Sequence, residues 1–188
     1  IVRSRGGDDM IRVTGSARKP IRSDFIIWSG TVWHTATDVP TAFASLKSSV
    51  GKTTAYFRDK GVKPDEIVTQ AIATIPLSET LRTPDGSGGT IDRQRTTGYQ
   101  LSQRIEIRSK DVDRVDRLSR ESTDLISQGV PFTSDAPQYL YTKIAEEKVA
   151  ILSEAAKDAR RRAEEIARSS GTGLAGVRFA RMSPLQIT

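Results

Sequence analysis

Three short runs in the chain have residue types and spacings that could do chemistry. Gly171-Thr-Gly-Leu-Ala-Gly176 spells G-x-G-x-x-G. In a dinucleotide fold that run follows a strand and opens a helix, so that the helix N-terminus faces the pyrophosphate. Here a helical pattern precedes it and an extended pattern follows, so the polarity is reversed and Gly171 reads as a helix C-cap. Gly51-Lys52-Thr53 resembles the end of a phosphate-binding loop, but that loop needs a second glycine five residues upstream, where Leu46 stands. Ser49-Val-Gly-Lys52 has the Ser-x-x-Lys spacing of penicillin-recognising enzymes. The companion Ser-Asp-Asn is impossible in a chain without Asn, and Lys-Thr-Gly does not occur.

The remaining chemistry is bounded by what is missing. The chain has no Cys, which excludes disulfides, thiolate metal sites and thiol catalysis. Its single His, His34, has no second His and no carboxylates at ligand spacing, and any Ser-His-Asp triad would have to use it. The reading is therefore no catalytic residue, no metal ligand and no cofactor.

The 188 residues suit one domain. Apolar residues make up 36 % and charged residues 28 %, enough for a core and too apolar for a disordered chain. The net charge is +6, and residues 1–23 hold six basic against two acidic side chains. A basic arm of this kind suits nucleic acid or an anionic surface, although a solvated leader is the plainer reading, so nucleic-acid binding through the arm is the third and lowest expectation. No apolar run approaches a membrane span or a signal sequence.

The elements follow from periodicity. Residues 1–9 read as a flexible basic leader, and 10–18 and 21–35 as extended. Asp38 caps a helix with Pro40 in its first turn and with Phe43, Leu46, Val50 and Phe57 on one face; Gly61 and Pro64 stop it. Ile67–Ile75 is a strand that Pro76 ends or marks as an edge. Residues 82–92, rich in Gly, form the tip of a long hairpin. On the return strand Tyr99, Leu101, Gln103, Ile105 and Ile107 share a face, opposite Gln100, Ser102, Arg104, Glu106 and Arg108.

Ser109 caps a second helix, with Val112, Val115, Leu118, Leu125 and Ile126 on its buried side and Gly129 at its end. Phe132 and residues 137–141 supply one short strand. A third helix runs from near Thr142 to before Gly171, with a stripe of Val149, Leu152, Ala156, Ala159, Ala163 and Ile166. Leu174–Ile187 gives a last strand. The order is β-β-α-β-β-α-β-α-β. The fold class is α+β: a largely antiparallel β-sheet with three helices packed on one face, plus a long protruding hairpin.

Several spaced blocks resemble the bacterial SIMPL-domain family, also called DUF541. They are Val13-Thr-Gly-Ser-Ala17, Ser109 to Ser119 with Asp124-Leu-Ile-Ser-Gln-Gly129, Phe132 to Tyr139, and Glu154 to Arg160 followed by Ala163, Ile166-Ala167 and Ser170-Gly171. The resemblance covers residues 11–188, within a single SIMPL-like domain of residues 10–188. It implies an α+β fold, no established activity or cofactor, and an exported protein of the periplasm or cell envelope. A chain opening at Ile1 without a signal fits one cut from a longer protein. The resemblance also implies links to envelope stress and to homo-oligomeric assembly, and it carries no catalytic residue.

The leading expectation is a non-enzymatic envelope protein that acts through homo-oligomers or an envelope partner, with contacts in the hairpin at Ile75, Leu77, Leu81, Ile91 and Tyr99. The second is a small-ligand or lipid-binding module with a pocket between sheet and helices lined by Trp28, Trp33 and Phe43.

Overall fold

The computed structural model describes residues 10–84 and 86–177. They fall into two compact units, one of Ser23–Tyr141 and one that joins the N-terminal segment to the chain from Thr142 onward. The expected leader 1–9 lies outside the described residues, as does the expected last strand beyond residue 177; residues 174–177 are not in a strand.

The Ser23–Tyr141 unit holds the sheet. Its elements are β1 (Phe25–Ala36), α1 (Val39–Asp59), a 3₁₀ turn (Pro64–Glu66), β2 (Ile67–Pro84), β3 (Thr90–Ser109), α2 (Val112–Glu121), a one-turn α3 (Asp124–Ser127), β4 (Phe132–Ser134) and β5 (Gln138–Leu140). The strand order is β2-β3-β1-β4, with β5 also on β1, and every pairing is antiparallel. The α+β class is as expected. Residues 10–18 and 21–24, expected to be extended, form no strand.

Alternation places β1 and β3. Ile26, Trp28 and Val32 on β1 and Leu101, Ile105 and Ile107 on β3 point to one face and are buried there. Trp28 touches Phe57 of α1 edge-on at 5.4 Å, and Phe132 of β4 at 6.2 Å. Its indole N–H donates to Ser134 Oγ and Asp135 O, each at 3.1 Å, so the buried donor is satisfied. The Phe132 ring lies over Gly30, where a β-carbon would fall 2.5 Å from one ring carbon.

Asp38 caps α1 as expected, accepting from Thr41 N at 2.9 Å, with Pro40 in the first turn. The helix ends in a Schellman turn: Gly61 has φ +87°, and Val62 N donates to Phe57 O at 3.0 Å. The buried face differs from the expected one. Ala42, Leu46, Ser49, Thr53 and Phe57 are inside, while Phe43 is 44 % exposed. Small residues at 42, 49 and 53 let the helix approach the sheet closely, and Phe57, the large residue at the end of that stripe, meets Trp28.

Five further expectations change. β2 runs past Ile75 to Pro84, and of the two readings of Pro76 the structure shows the edge, where a residue without an N–H is tolerated. The tip shrinks because Pro84 still pairs with Thr90, leaving a turn with Gly86 and Gly88 at positive φ. Asp111, not Ser109, caps α2. The chain breaks between α2 and α3 at Ser122 and Thr123, which shifts the helical phase and leaves Ile126 55 % exposed. The single strand expected after Phe132 is two, β4 and β5, both on the free edge of β1.

The second unit is α4 (Ile144–Ser169) with the arm 10–22 laid on it. Gly15 sits on the helix so closely that a β-carbon would lie 2.7 Å from Ala159 N. Ser16 N donates to Asp158 at 3.0 Å, Arg162 donates to Ser16 Oγ at 3.3 Å, and Lys19 pairs with Glu147. The Ser16 amide holds the Asp158 carboxyl below its ordinary range. Ala163 and Ala167 are buried, whereas Val149 and Ile166, expected in the stripe, are 68 % and 46 % exposed. Gly171, at φ +69°, ends the helix as a C-cap, with Thr172 N donating to Ala167 O.

His34 links β1 to the middle of α1: its Nε2 lies 2.7 Å from Ser49 Oγ. Burial pushes its pKa below the usual 6.5. The unfolded chain therefore takes up a proton near pH 6.5 that the folded chain resists, so stability is lost as pH falls below that value and levels off below the folded pKa. Urea melts from pH 7.5 to 5.5 should show wild type losing more stability than His34→Gln. Equal losses would mean that the His34–Ser49 bond does not depend on charge. Two glycines should respond with opposite signs. Gly30→Ala forces a methyl into the Phe132 ring and should cost about 1–3 kcal/mol. Gly51→Ala lies inside α1 with nothing within 4 Å of the new carbon, and should gain about 0.5–1 kcal/mol.

Candidate functional site

The β2–β3 hairpin is built longer than its support. β1 pairs β3 only from Tyr99 to Ser109, while the β2–β3 ladder continues to Pro84 and Thr90. Residues 77–84 and 90–98 are thus paired with each other and not with β1. At about 3.3 Å per residue the free arm is roughly 25 Å long. Gly98 marks where it departs, with no room for a β-carbon beside the Ala36 carbonyl, 2.6 Å away. A register shift at Leu77/Ser78 follows at once. Such a bulge re-aims a strand and increases its twist.

The register sorts the hairpin residues expected to make contacts. Ile75, Leu77 and Leu81 alternate along one face of β2. Ile91, opposite Thr83, lies on that same face. They flank the Glu79–Arg95 ion pair, at 2.6 Å. Ile75, Leu81 and Ile91 are 52 %, 38 % and 46 % exposed, and Leu77 is half-buried. Tyr99 is different: it opposes Pro76 on the other face and packs against the core. The other side of the arm carries the Arg82–Asp92 pair, at 2.9 Å. The structure therefore brings four of the five named residues into one stripe and puts the fifth at the root of the arm.

β2 is also an edge. Among the described residues it pairs only with β3, whereas β1 has β3 on one side and β4 and β5 on the other. A strand of 18 residues with one unpaired side is long for a sheet edge. Pro76, Glu79 and Arg82 interrupt it, and such residues restrain indiscriminate pairing.

Trp28, Trp33 and Phe43 do not line one pocket. Trp28 is 1 % exposed in the core; Trp33, an odd number of residues along β1, points to the opposite face and is 36 % exposed; Phe43 is on the outside of α1. The face bearing Trp33 also carries Arg104, which reaches Ser29 Oγ at 2.6 Å and Asp135 at 2.7 Å. On the core side, Arg114 of α2 donates to both Glu66 oxygens at 3.0 and 2.9 Å and to the Gly61 carbonyl, tying the end of α1 and the 3₁₀ turn to α2. Neither cluster was readable from sequence, because the partners lie 31 to 75 residues apart with nothing local to pair them.

The motif matches resolve in the same way. Gly51, Lys52 and Thr53 sit within α1. His34 and Ser49 have the separation of a base and a nucleophile, but Ser49 is only 5 % exposed, so the pair joins helix to strand. Among the described residues no three His, Asp or Glu side chains gather as metal ligands, and no helix is long and apolar enough to cross a membrane.

No curated protein matches the chain. Residues 11–186 match the family model for SIMPL, described as a protein of unknown function (DUF541). The match runs from the arm that lies on α4, through the whole sheet unit and past the C-cap of α4. The chain therefore belongs to the SIMPL (DUF541) family.

Proposed function

We propose that this chain acts without catalysis, by assembling with copies of itself through the β2–β3 hairpin, and that it does so in the cell envelope. The observation that carries the assembly is the free arm: two strands standing beyond the sheet, with an apolar stripe on one face and an outer edge that no strand pairs among the described residues. A two-stranded hairpin alone in water is marginal, and a third strand or a packed face stabilises it. The envelope location, and a part in envelope or oxidative stress tolerance, rest on what the family resemblance implies.

Magnitudes decide how the contact must be built. Fully burying an Ile or Leu side chain is worth about 1.5–3 kcal/mol, so covering the exposed parts of Ile75, Leu81 and Ile91 gains roughly 3 kcal/mol per protomer. Association costs about 4–15 kcal/mol in lost freedom. The stripe alone does not hold two copies together, so the backbone edge of β2 has to pair as well. Closed symmetry would then cover every such edge.

Light scattering coupled to size exclusion, at two protein concentrations, tests the assembly. The expected mass is a fixed multiple of 20.6 kDa. Leu81→Lys with Ile91→Lys, on the free arm and away from the core, should return the chain to 20.6 kDa with its circular dichroism unchanged. A wild-type monomer at both concentrations, or an oligomer that survives the double substitution, would refute assembly through this arm.

A further inference from the structure

The arm 10–22 and α4 enclose an open groove of about 540 Å³. That lies within the ~300–1,000 Å³ range of small-molecule sites. Two latches set its length. Ser16 N holds Asp158 at one end, and Lys19 holds Glu147 at the other. Eleven residues of α4 separate the two carboxylates, about 16 Å at 1.5 Å per residue. Between the latches the arm runs along the helix, with Ala17 and Arg18 lining the groove. Seating Gly15 directly on the Ala155–Ala159 backbone fixes how close the arm lies.

The lining has two parts. Ala17, Ala150 and Ile151 make an apolar floor, and Arg18, Lys157 and Arg161 stand around it. The two carboxylates of the groove are already engaged. Glu154 accepts from Lys157 at 2.9 Å, and Asp158 accepts from Ser16 N, from Arg161 at 2.8 Å and from Arg162 at 2.9 Å. Counting Lys19 with its partner Glu147, four cations stand against three carboxylates, and Arg18 is the cation without a carboxylate partner among the described residues. An anion is therefore favoured over a cation, and the apolar floor favours a tail over a compact polar ion. A groove of this volume between arm and helix has room for one such chain.

We propose that this groove binds one molecule of a free anionic amphiphile, a medium-chain carboxylate, with its tail along Ala17, Ala150 and Ile151 and its head at Arg18 and Lys157. The site uses none of Trp28, Trp33 and Phe43, and it is independent of assembly through the hairpin.

Calorimetric titration of the full chain with sodium dodecanoate, below its micellar concentration and at low salt, tests this. One molecule should bind per chain. Arg18→Ala with Lys157→Ala should weaken binding at least about tenfold, the loss of a charge-assisted contact, and the uncharged twelve-carbon alcohol should bind at least as weakly. Ile151→Glu should abolish binding with the helical circular dichroism retained. Gly15→Ala, which lines nothing but displaces the arm, should weaken binding as well. The proposal fails if dodecanoate gives no heat, or if it binds in multiple copies indifferent to these substitutions. It also fails if binding is seen only to phosphatidylglycerol vesicles, since that would make the basic rim a membrane contact and not a chain site.

Discussion

Trp28 is the contact on which the larger unit is organised. It is the largest fully buried side chain, and it reaches three elements far apart in sequence: its own strand, α1 through Phe57, and the return segment β4 through Phe132. Edge-to-face aromatic pairs add about 0.5–1.5 kcal/mol each beyond the area they bury. Just as important, the indole N–H is not stranded, because Ser134 and the Asp135 carbonyl accept it. That polar anchor fixes where the chain must turn between β4 and β5. Gly30 completes the arrangement by leaving room for the Phe132 ring, so one glycine and one tryptophan two residues apart set how the short return strands lie on β1.

With β1 covered on both edges, the imbalance of the sheet falls on β2. Its long partner β3 is shared between two tasks: the half near Ser109 builds the core with β1, and the half near Thr90 builds the free arm. The two halves are divided at Gly98 and the register shift beside it. The core half has Leu101, Ile105 and Ile107 buried. The arm half carries Thr96, Gln94, Asp92 and Thr90 on that face, and Ile91 lies on the opposite one with Leu77 and Leu81 of β2. A fold that only needed stability would not extend two strands about 25 Å into solvent; this is why the arm, and not a cavity, carries the functional reading.

The unit of arm and α4 is held by another kind of contact. Its apolar contribution is small, because Ala155, Ala159, Ala163 and Ala167 bury little area each. Close backbone approach at Gly15 and a polar latch at Asp158 do the positioning. Such a latch leaves space beside it, which is the origin of the groove.

Local rules made much of this legible in the sequence alone. The cap at Asp38, the Pro40 start, the Gly61 and Gly171 stops, the alternation of β3 and the α+β class all depend on residues within a few positions of one another, and backbone geometry decides them there. The spaced blocks sufficed for the family. What needed the tertiary structure was anything set by distant partners. Which stripe of α1 faces the sheet depended on the partners it meets there, Trp28 against Phe57 and His34 against Ser49. That Trp28 and Trp33 diverge is plain parity once the strand is continuous, but the sequence did not say which face the helices would cover. Pro76 lies inside a strand only because β2 has one neighbour. The Arg114–Glu66 and Arg104–Asp135 pairs, and the groove beneath Arg18, join segments 31 to 142 residues apart. Nothing in the local chain encodes such encounters; the packing of the whole fold does.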